Sequence, residues 1–244
     1  MGMKIALACG GTGGHVFPAL AVGKVLHTAH RAELFVVGRP DSMEERLAAQ
    51  AGVSFCAVPA VPLHRSRVWR NLLLSIHAWR SVHAASKVLR REKPVAVFAT
   101  GGYVCLPTGF AAKLAGIPLF VHESNSHPGV ANRVLAKLAT GVFAGSPSGA
   151  ASLGRRAVVT GNPVRALDGR TRQELRKSQG LEEKDRFLVV IGGSQGARGV
   201  NRILSDEIGG LLGAGWHVLW QTGPAELEAM RATVAAHPHL TIEA

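Results

Sequence analysis

The sequence predicts an α/β protein made of two successive domains with parallel sheets, the second of them incomplete within this chain. Three observations predict it. Short apolar runs alternate with helical patterns, as in parallel sheets covered on both faces. Glycine-rich stretches follow two of those runs. The opening pattern of apolar run, glycine loop and helix also restarts after a break at Gly161-Asn162-Pro163.

Taken in order, the predicted strands of the first domain are Lys4–Cys9, Glu33–Val37, Ser54–Val58, Val95–Thr100, Leu119–His122, Gly141–Ala144 and Ala157–Thr160. Helical patterns such as Val16–Thr28 and Met43–Ala51 lie between them. Pro163 disfavours helix at Asn162, and a charged, polar stretch follows from Arg165 to Arg186. The predicted boundary therefore gives domains 1–163 and 164–244. The second domain opens with the strand Phe187–Ile191, continues as a helix from about Asn201 and adds a strand His217–Trp220. So few strands would leave a sheet edge and an apolar face uncovered.

With 244 residues, 47% of them hydrophobic and 18% charged, the chain can bury a substantial core. Its formal net charge of +12 points to an anionic partner, whether nucleic acid, an anionic membrane surface or a phosphorylated substrate. Cys9, Cys56 and Cys105 are odd in number, widely spaced and set in apolar runs. They read as buried free thiols of a reducing compartment. The apolar stretch at the N-terminus is too short for a signal peptide or a membrane span. A cytoplasmic protein with at most peripheral membrane contact is expected.

The first chemistry-bearing stretch is Gly10-Gly11-Thr12-Gly13-Gly14-His15. Glycines allow a tight turn and close approach of a ligand, and the following helix N-terminus offers free N–H groups. The nicotinamide fingerprint fails, because Val16 stands where its third glycine should be. A Walker loop fails for want of a following Gly-Lys-Ser/Thr. Gly192-Gly193-Ser194-Gln195-Gly196 is the second such loop, and its Ser194 and Gln195 can donate to phosphate oxygens or to a ring. Two loops of this kind predict one ligand cleft at strand C-termini.

Two more loops follow predicted strands, Thr100-Gly101-Gly102-Tyr103 and His122-Glu123-Ser124-Asn125. His15, His122 and Glu123 are acid–base candidates, although Glu123 could equally bind backbone amides and shape its loop. The four aspartates form no DxD pair and no cluster with histidines, so no metal site is expected.

Taken together, these loops and Gly161-Asn162-Pro163-Val164-Arg165 resemble, in order and spacing, the MurG family of UDP-N-acetylglucosamine–N-acetylmuramyl-(pentapeptide) pyrophosphoryl-undecaprenol N-acetylglucosamine transferases. The resemblance implies a GT-B type fold of two Rossmann-like domains. It implies inverting transfer of N-acetylglucosamine to the 4-hydroxyl of the muramyl sugar, without metal or cofactor. UDP-N-acetylglucosamine and an undecaprenyl-linked muramyl-pentapeptide acceptor would be the partners, with the work done at the cytoplasmic face of the bacterial inner membrane. By position, Thr12, Gly13, Gly14, Asn125, Arg165 and Ser194 correspond to donor-contacting residues. His15, Tyr103, His122, Glu123 and Asn132 correspond to the acceptor-side or catalytic set. His15 and Glu123 are the candidates for the base. Ser124 replaces a family glutamine, and a later Ser-Gly-Ala-Leu-Thr loop of the family has no counterpart in these 244 residues. The donor site is therefore expected to be incomplete here. A non-catalytic fragment that binds a nucleotide sugar or lipid intermediate is the alternative.

Pro62–Pro94 holds eight basic residues against the single acid Glu92. Trp69, Leu72, Leu73, Ile76 and Trp79 recur with helical spacing beside Arg80. An ordinary core helix would look similar. Two tryptophans with a basic rim favour contact with an anionic membrane surface. No nucleic-acid-binding signature accompanies the charge, so nucleic acid is not an expected partner.

Overall fold

A computed structural model describes residues 2–60, 74–154, 156–164, 169–193 and 196–244, with the backbone alone for 74–76. The chain divides into two compact units, Met1–Ala166 and Leu167–Ala244.

The first unit runs β1 (Lys4–Cys9), α1 (Gly13–His30), β2 (Glu33–Gly38), α2 (Met43–Gln50), β3 (Ser54–Ala57), α3 (Leu74–Glu92) and β4 (Ala96–Gly101). It continues with α4 (Cys105–Leu114), β5 (Leu119–Glu123), α5 (Val130–Ala136), β6 (Gly141–Ala144), α6 (Pro147–Leu153) and β7 (Ala157–Val159). The strands form one seven-stranded sheet in the order β3-β2-β1-β4-β5-β6-β7. Every pairing is parallel.

The apolar runs form strands because both sheet faces are buried. Ala6, Ala8, Phe35, Val97 and Ala99 pack on one face with Val104, Cys105 and Ala111. Ile5, Leu7, Val36 and Phe98 pack on the other with Val16 and Ala19. Helices α1 and α4 therefore lie on opposite faces. The chain parts to opposite sides after the neighbouring strands β1 and β4, which opens a crevice at their C-terminal ends.

The boundaries differ from the sequence reading in a few places. Helix α1 begins at Gly13, inside the glycine stretch, and not at Val16. Strand β5 extends to Glu123, so this carboxylate sits at the strand end. Helix α3 presents Ser81, Ala85, Val88 and Leu89 inward, while His77, Trp79, Arg80, His83, Lys87 and Arg90 face outward. Trp69, Leu72 and Leu73 lie outside the described residues, as does the side chain of Ile76.

The second unit holds α7 (Arg172–Ser178), β8 (Arg186–Ile191), α8 (Arg198–Gly213), β9 (Trp216–Gln221), α9 (Leu227–Thr233) and β10 (Leu240–Glu243). Its parallel sheet has the order β10-β9-β8. Leu204, Ile208, Val218 and Trp220 make its core. On β8, Val189 and Ile191 are 44% and 69% exposed. Helix α7 opens with a reciprocal cap between Thr171 and Glu174.

Among the described residues, no helix is long and apolar enough to cross a membrane. All three cysteines are free and buried. Burial pushes the Cys105 thiol up to about 12 and holds Cys9 well above its ordinary value. Neither is poised as a nucleophile.

Candidate active site

The candidate site of the first unit is assembled at the C-terminal ends of β1, β4 and β5. The loop after β1 turns through Gly11 at φ +87°, which a side chain would resist. It lies directly against the loop after β4, with the Gly10 N–H donating to the Gly101 carbonyl at 3.2 Å. A Cβ on Gly102 would overlap the Gly10 carbonyl, so the close approach requires glycine there.

His15 lies in the first turn of α1 and is partly buried. Its Nδ1 is 3.0 Å from the Gly10 carbonyl oxygen and 3.3 Å from Thr12 Oγ1. A carbonyl only accepts, so Nδ1 carries the hydrogen in this arrangement, and a neutral ring then keeps its lone pair on Nε2. The Thr100 hydroxyl donates to the His15 carbonyl at 2.7 Å and fixes the start of α1 to the end of β4. Thr12 and Gly14 are exposed beside this ring, and Gly13 is buried. Tyr103 is 45% exposed on the loop after β4.

The loop after β5 is organised by Glu123, which is buried. Its Oε1 accepts from the Asn125 backbone and side-chain amides, both at 2.8 Å. Its Oε2 accepts from Gly129 N–H and Asn132 Nδ2, both at 3.0 Å. Four donors fill the acceptor sites of a carboxylate, so of the two sequence candidates for the base, Glu123 has the loop-shaping geometry. His122 is buried as well. Its Nε2–H donates to the Gly161 carbonyl at 3.1 Å and ties β5 to the Gly161-Asn162-Pro163 stretch. Burial pushes its pKa down, opposed in part by that hydrogen bond and by Glu123. It is not placed to meet a substrate at the surface. Asn132 is buried behind both, and Asn125 is exposed at the rim.

The sequence reading missed Glu44. This residue of α2 is buried under the glycine loop, where Oε2 accepts Gly11 N–H at 3.3 Å and Oε1 accepts Arg39 N–H at 3.2 Å. The usable signal was Gly38, a strand-ending glycine whose backbone has no positive φ. Its missing side chain makes room for Glu44, since a Cβ there would clash with Glu44 Cγ.

In the second unit, the loop after β8 turns at Gly193 (φ +79°) and Gly196 (φ +76°). Gly196 sits so close to the Thr222 carbonyl that no Cβ fits. Asn201, also missed in the sequence, secures α8 behind this loop. It donates to the Thr222 carbonyl at 2.9 Å and accepts from Trp220 Nε1 at 3.0 Å. Ser194, Gln195 and Arg165 lie outside the described residues. No group of three metal-ligating side chains occurs among the described residues.

A seven-stranded parallel sheet with glycine loops at its switch point, followed by a small second sheet, is an α/β architecture of the GT-B type. Residues 5–144 match the Glycosyltransferase family 28 N-terminal domain, and the chain belongs to that family. It is 40% identical over 203 residues to the UDP-N-acetylglucosamine–N-acetylmuramyl-(pentapeptide) pyrophosphoryl-undecaprenol N-acetylglucosamine transferase of Moorella thermoacetica, covering 82% of this chain and 55% of the relative. It is 35% identical over 245 residues to the enzyme of the same name from Symbiobacterium thermophilum, covering 98% and 66%. The crystal structure of Acinetobacter baumannii MurG superposes with a TM-score of 0.69 at 28% identity, over 99% of this chain and 65% of that one. The Staphylococcus aureus MnaA–UDP structure shares the fold at a TM-score of 0.63 and 16% identity. The chain spans between about half and two thirds of the length of these curated relatives.

Proposed function

We propose that the protein carries out, or forms the larger part of an enzyme that carries out, transfer of N-acetylglucosamine from UDP-N-acetylglucosamine to the 4-hydroxyl of an undecaprenyl-pyrophosphoryl muramyl-pentapeptide. The observation that carries the proposal is the 3.0 Å contact of His15 Nδ1 with the Gly10 carbonyl, which in a neutral ring leaves the Nε2 lone pair free. In this reading Nε2 takes the proton of the acceptor hydroxyl. The resulting oxygen attacks the anomeric carbon, the bond to UDP breaks and the sugar inverts. Charge developing on the departing diphosphate is met by N–H groups of the glycine loop at 193–197 and by Arg165. No metal or cofactor has a part.

Thr12, Gly13, Gly14, Asn125, Ser194 and Gln195 would contact the donor, and Tyr103 and Asn132 would shape the acceptor side. Glu123 and His122 would act by holding the loops. The two units would serve as acceptor domain and UDP-sugar domain, with the boundary near 163. Trp79, 67% exposed in a basic surround, would contact the anionic cytoplasmic surface of the membrane, where a lipid-linked acceptor must be met. Nucleic acid is not a partner in this reading.

The test is transfer of radiolabelled sugar from UDP-N-acetylglucosamine to a short-chain acceptor analogue. It would be run with this chain alone and with the remaining C-terminal part of a curated relative supplied as a second polypeptide. Product in either arm supports the transferase reading. The second reading is a binding fragment without catalysis. It predicts calorimetric binding of the nucleotide sugar or acceptor with no product in either arm.

A further inference from the structure

Glu44 is a buried carboxylate for which the proposed reaction has no use. It is 1% exposed, and no lysine or arginine side chain pairs with it among the described residues. Burying a carboxylate is costly unless its acceptors are satisfied. Here each oxygen accepts one backbone N–H, from Gly11 and from Arg39. Space has been cleared for it from two directions. A Cβ on Gly10 would come within 2.7 Å of Glu44 Oε1, and one on Gly38 within 2.4 Å of Glu44 Cγ.

The Gly11 N–H and the Gly10 carbonyl belong to one peptide unit. That unit is planar and trans, so its N–H and C=O point in opposite directions. One end is held by Glu44 at 3.3 Å, and the other is the acceptor for His15 Nδ1 at 3.0 Å. The plane has glycine on both sides, and glycine populates positive and negative φ about equally. Without a latch, the plane could turn over at little backbone cost. The turned plane would present the Gly11 N–H to His15 Nδ1, which would then have to accept, and the ring hydrogen would move to Nε2. The atom proposed to take the acceptor's proton would then be occupied. With Glu44 in place, turning would aim the Gly10 carbonyl at a buried carboxylate.

We propose that Glu44 is a positioning residue for His15: it latches the Gly10–Gly11 peptide plane and so holds the imidazole as the Nδ1–H tautomer with Nε2 free. The catalytic meaning of this latch rests on the transferase reading above, but the latch itself is tested without turnover. The measurement is nitrogen-15 NMR of the neutral histidine side chains in the whole chain. The eleven histidines are resolved by difference against His15→Asn, and the Gly11 backbone amide is followed alongside. The wild-type ring should be predominantly Nδ1–H. Glu44→Gln keeps the volume but offers an NH₂ group in place of one acceptor. Glu44→Asp withdraws the carboxylate by one methylene. In either variant the Nδ1–H form should lose its predominance, and the Gly11 amide proton should move upfield. A wild-type His15 predominantly protonated at Nε2 would overturn the proposal, and this holds even if both variants fail to fold. So would a folded variant in which the tautomer and the Gly11 amide are unchanged. Loss of transfer activity with an unchanged tautomer would leave the transferase reading standing and remove the latch.

Discussion

The imidazole of His15 packs against Gly101: a Cβ at position 101 would come within 2.8 Å of Nε2 and 2.7 Å of Cδ2. Gly101 also holds φ at +120°, which L side chains rarely adopt. Gly101→Ala therefore meets two obstacles, a strained backbone worth about 1–2 kcal/mol or more and a methyl group in the seat of the ring. The expected outcome is a fall in the denaturant midpoint, together with a loss of transfer larger than the stability change explains. Gly116→Ala is the control. Its φ is +68° with open space around the missing Cβ, so it should lose stability alone. Equal activity loss in both variants would show that strain, and not the displaced ring, is responsible.

On the transferase reading, His15→Ala should lower turnover by more than about tenfold, the lower end of what a positioned acid–base group contributes. The fold should survive, because the ring is only partly buried and its side-chain hydrogen bonds among the described residues go to Gly10 and Thr12. Circular dichroism and steady-state kinetics on the same preparation check both halves. Turnover within a factor of two or so of the parent would remove His15 from the chemistry.

Much of this arrangement was legible in the sequence, and the failures have physical causes. Strands β1 and β6 fall at their predicted bounds; β1 is buried from Ile5 to Cys9, and β6 buries Val142 and Ala144, so apolar runs mark both. Helix α1 starts three residues early. Glycine is a poor helix former, so Gly13 and Gly14 read as loop, although the chain already follows helical geometry there. Glu123 could be read either as an acid–base group or as a loop-shaping carboxylate. Only its four donors, spread from Asn125 to Asn132, separate the two. Glu44 left only the indirect trace of Gly38, because its partners are backbone amides, one of them 33 residues away. In the sequence it is merely an acid in the first turn of a helix, where acids are common.

His122 gives the first unit a dependence on acid. Burial holds its folded-state pKa below the ordinary 6.5, so on acidification the unfolded chain binds the proton first. Stability is then full above about pH 6.5 and falls as pH drops through the folded value. Urea midpoints compared at neutral pH and near pH 5 should show this fall in the parent. His122→Gln, which can still donate to the Gly161 carbonyl, should show a smaller one. An identical acid slope in the two proteins would assign the loss to other groups.

Trp79 tests the membrane reading within the described part of α3. It is 67% exposed and stacked on His83, with ring centroids 5.4 Å apart, on the side of the helix away from Ala85, Val88 and Leu89. Arg80, Lys87, Arg90 and Arg91 lie on exposed positions of the same helix. An exposed indole contributes little to the core, so Trp79→Ala should leave thermal stability within about 0.5 kcal/mol of the parent. Its insertion into a headgroup layer can yield about 1.5–3 kcal/mol if fully buried. Each nearby basic residue can add about 1 kcal/mol against anionic lipid. Co-sedimentation with vesicles should therefore rise with anionic lipid content and fall with salt, because exposed charges are screened. Trp79→Ala should weaken binding at every lipid composition. Arg80→Gln with Lys87→Gln should weaken it mainly on anionic vesicles and flatten the salt dependence. If Trp79→Ala bound as tightly as the parent, α3 would not be the attachment surface, and the outward tryptophan would need another partner.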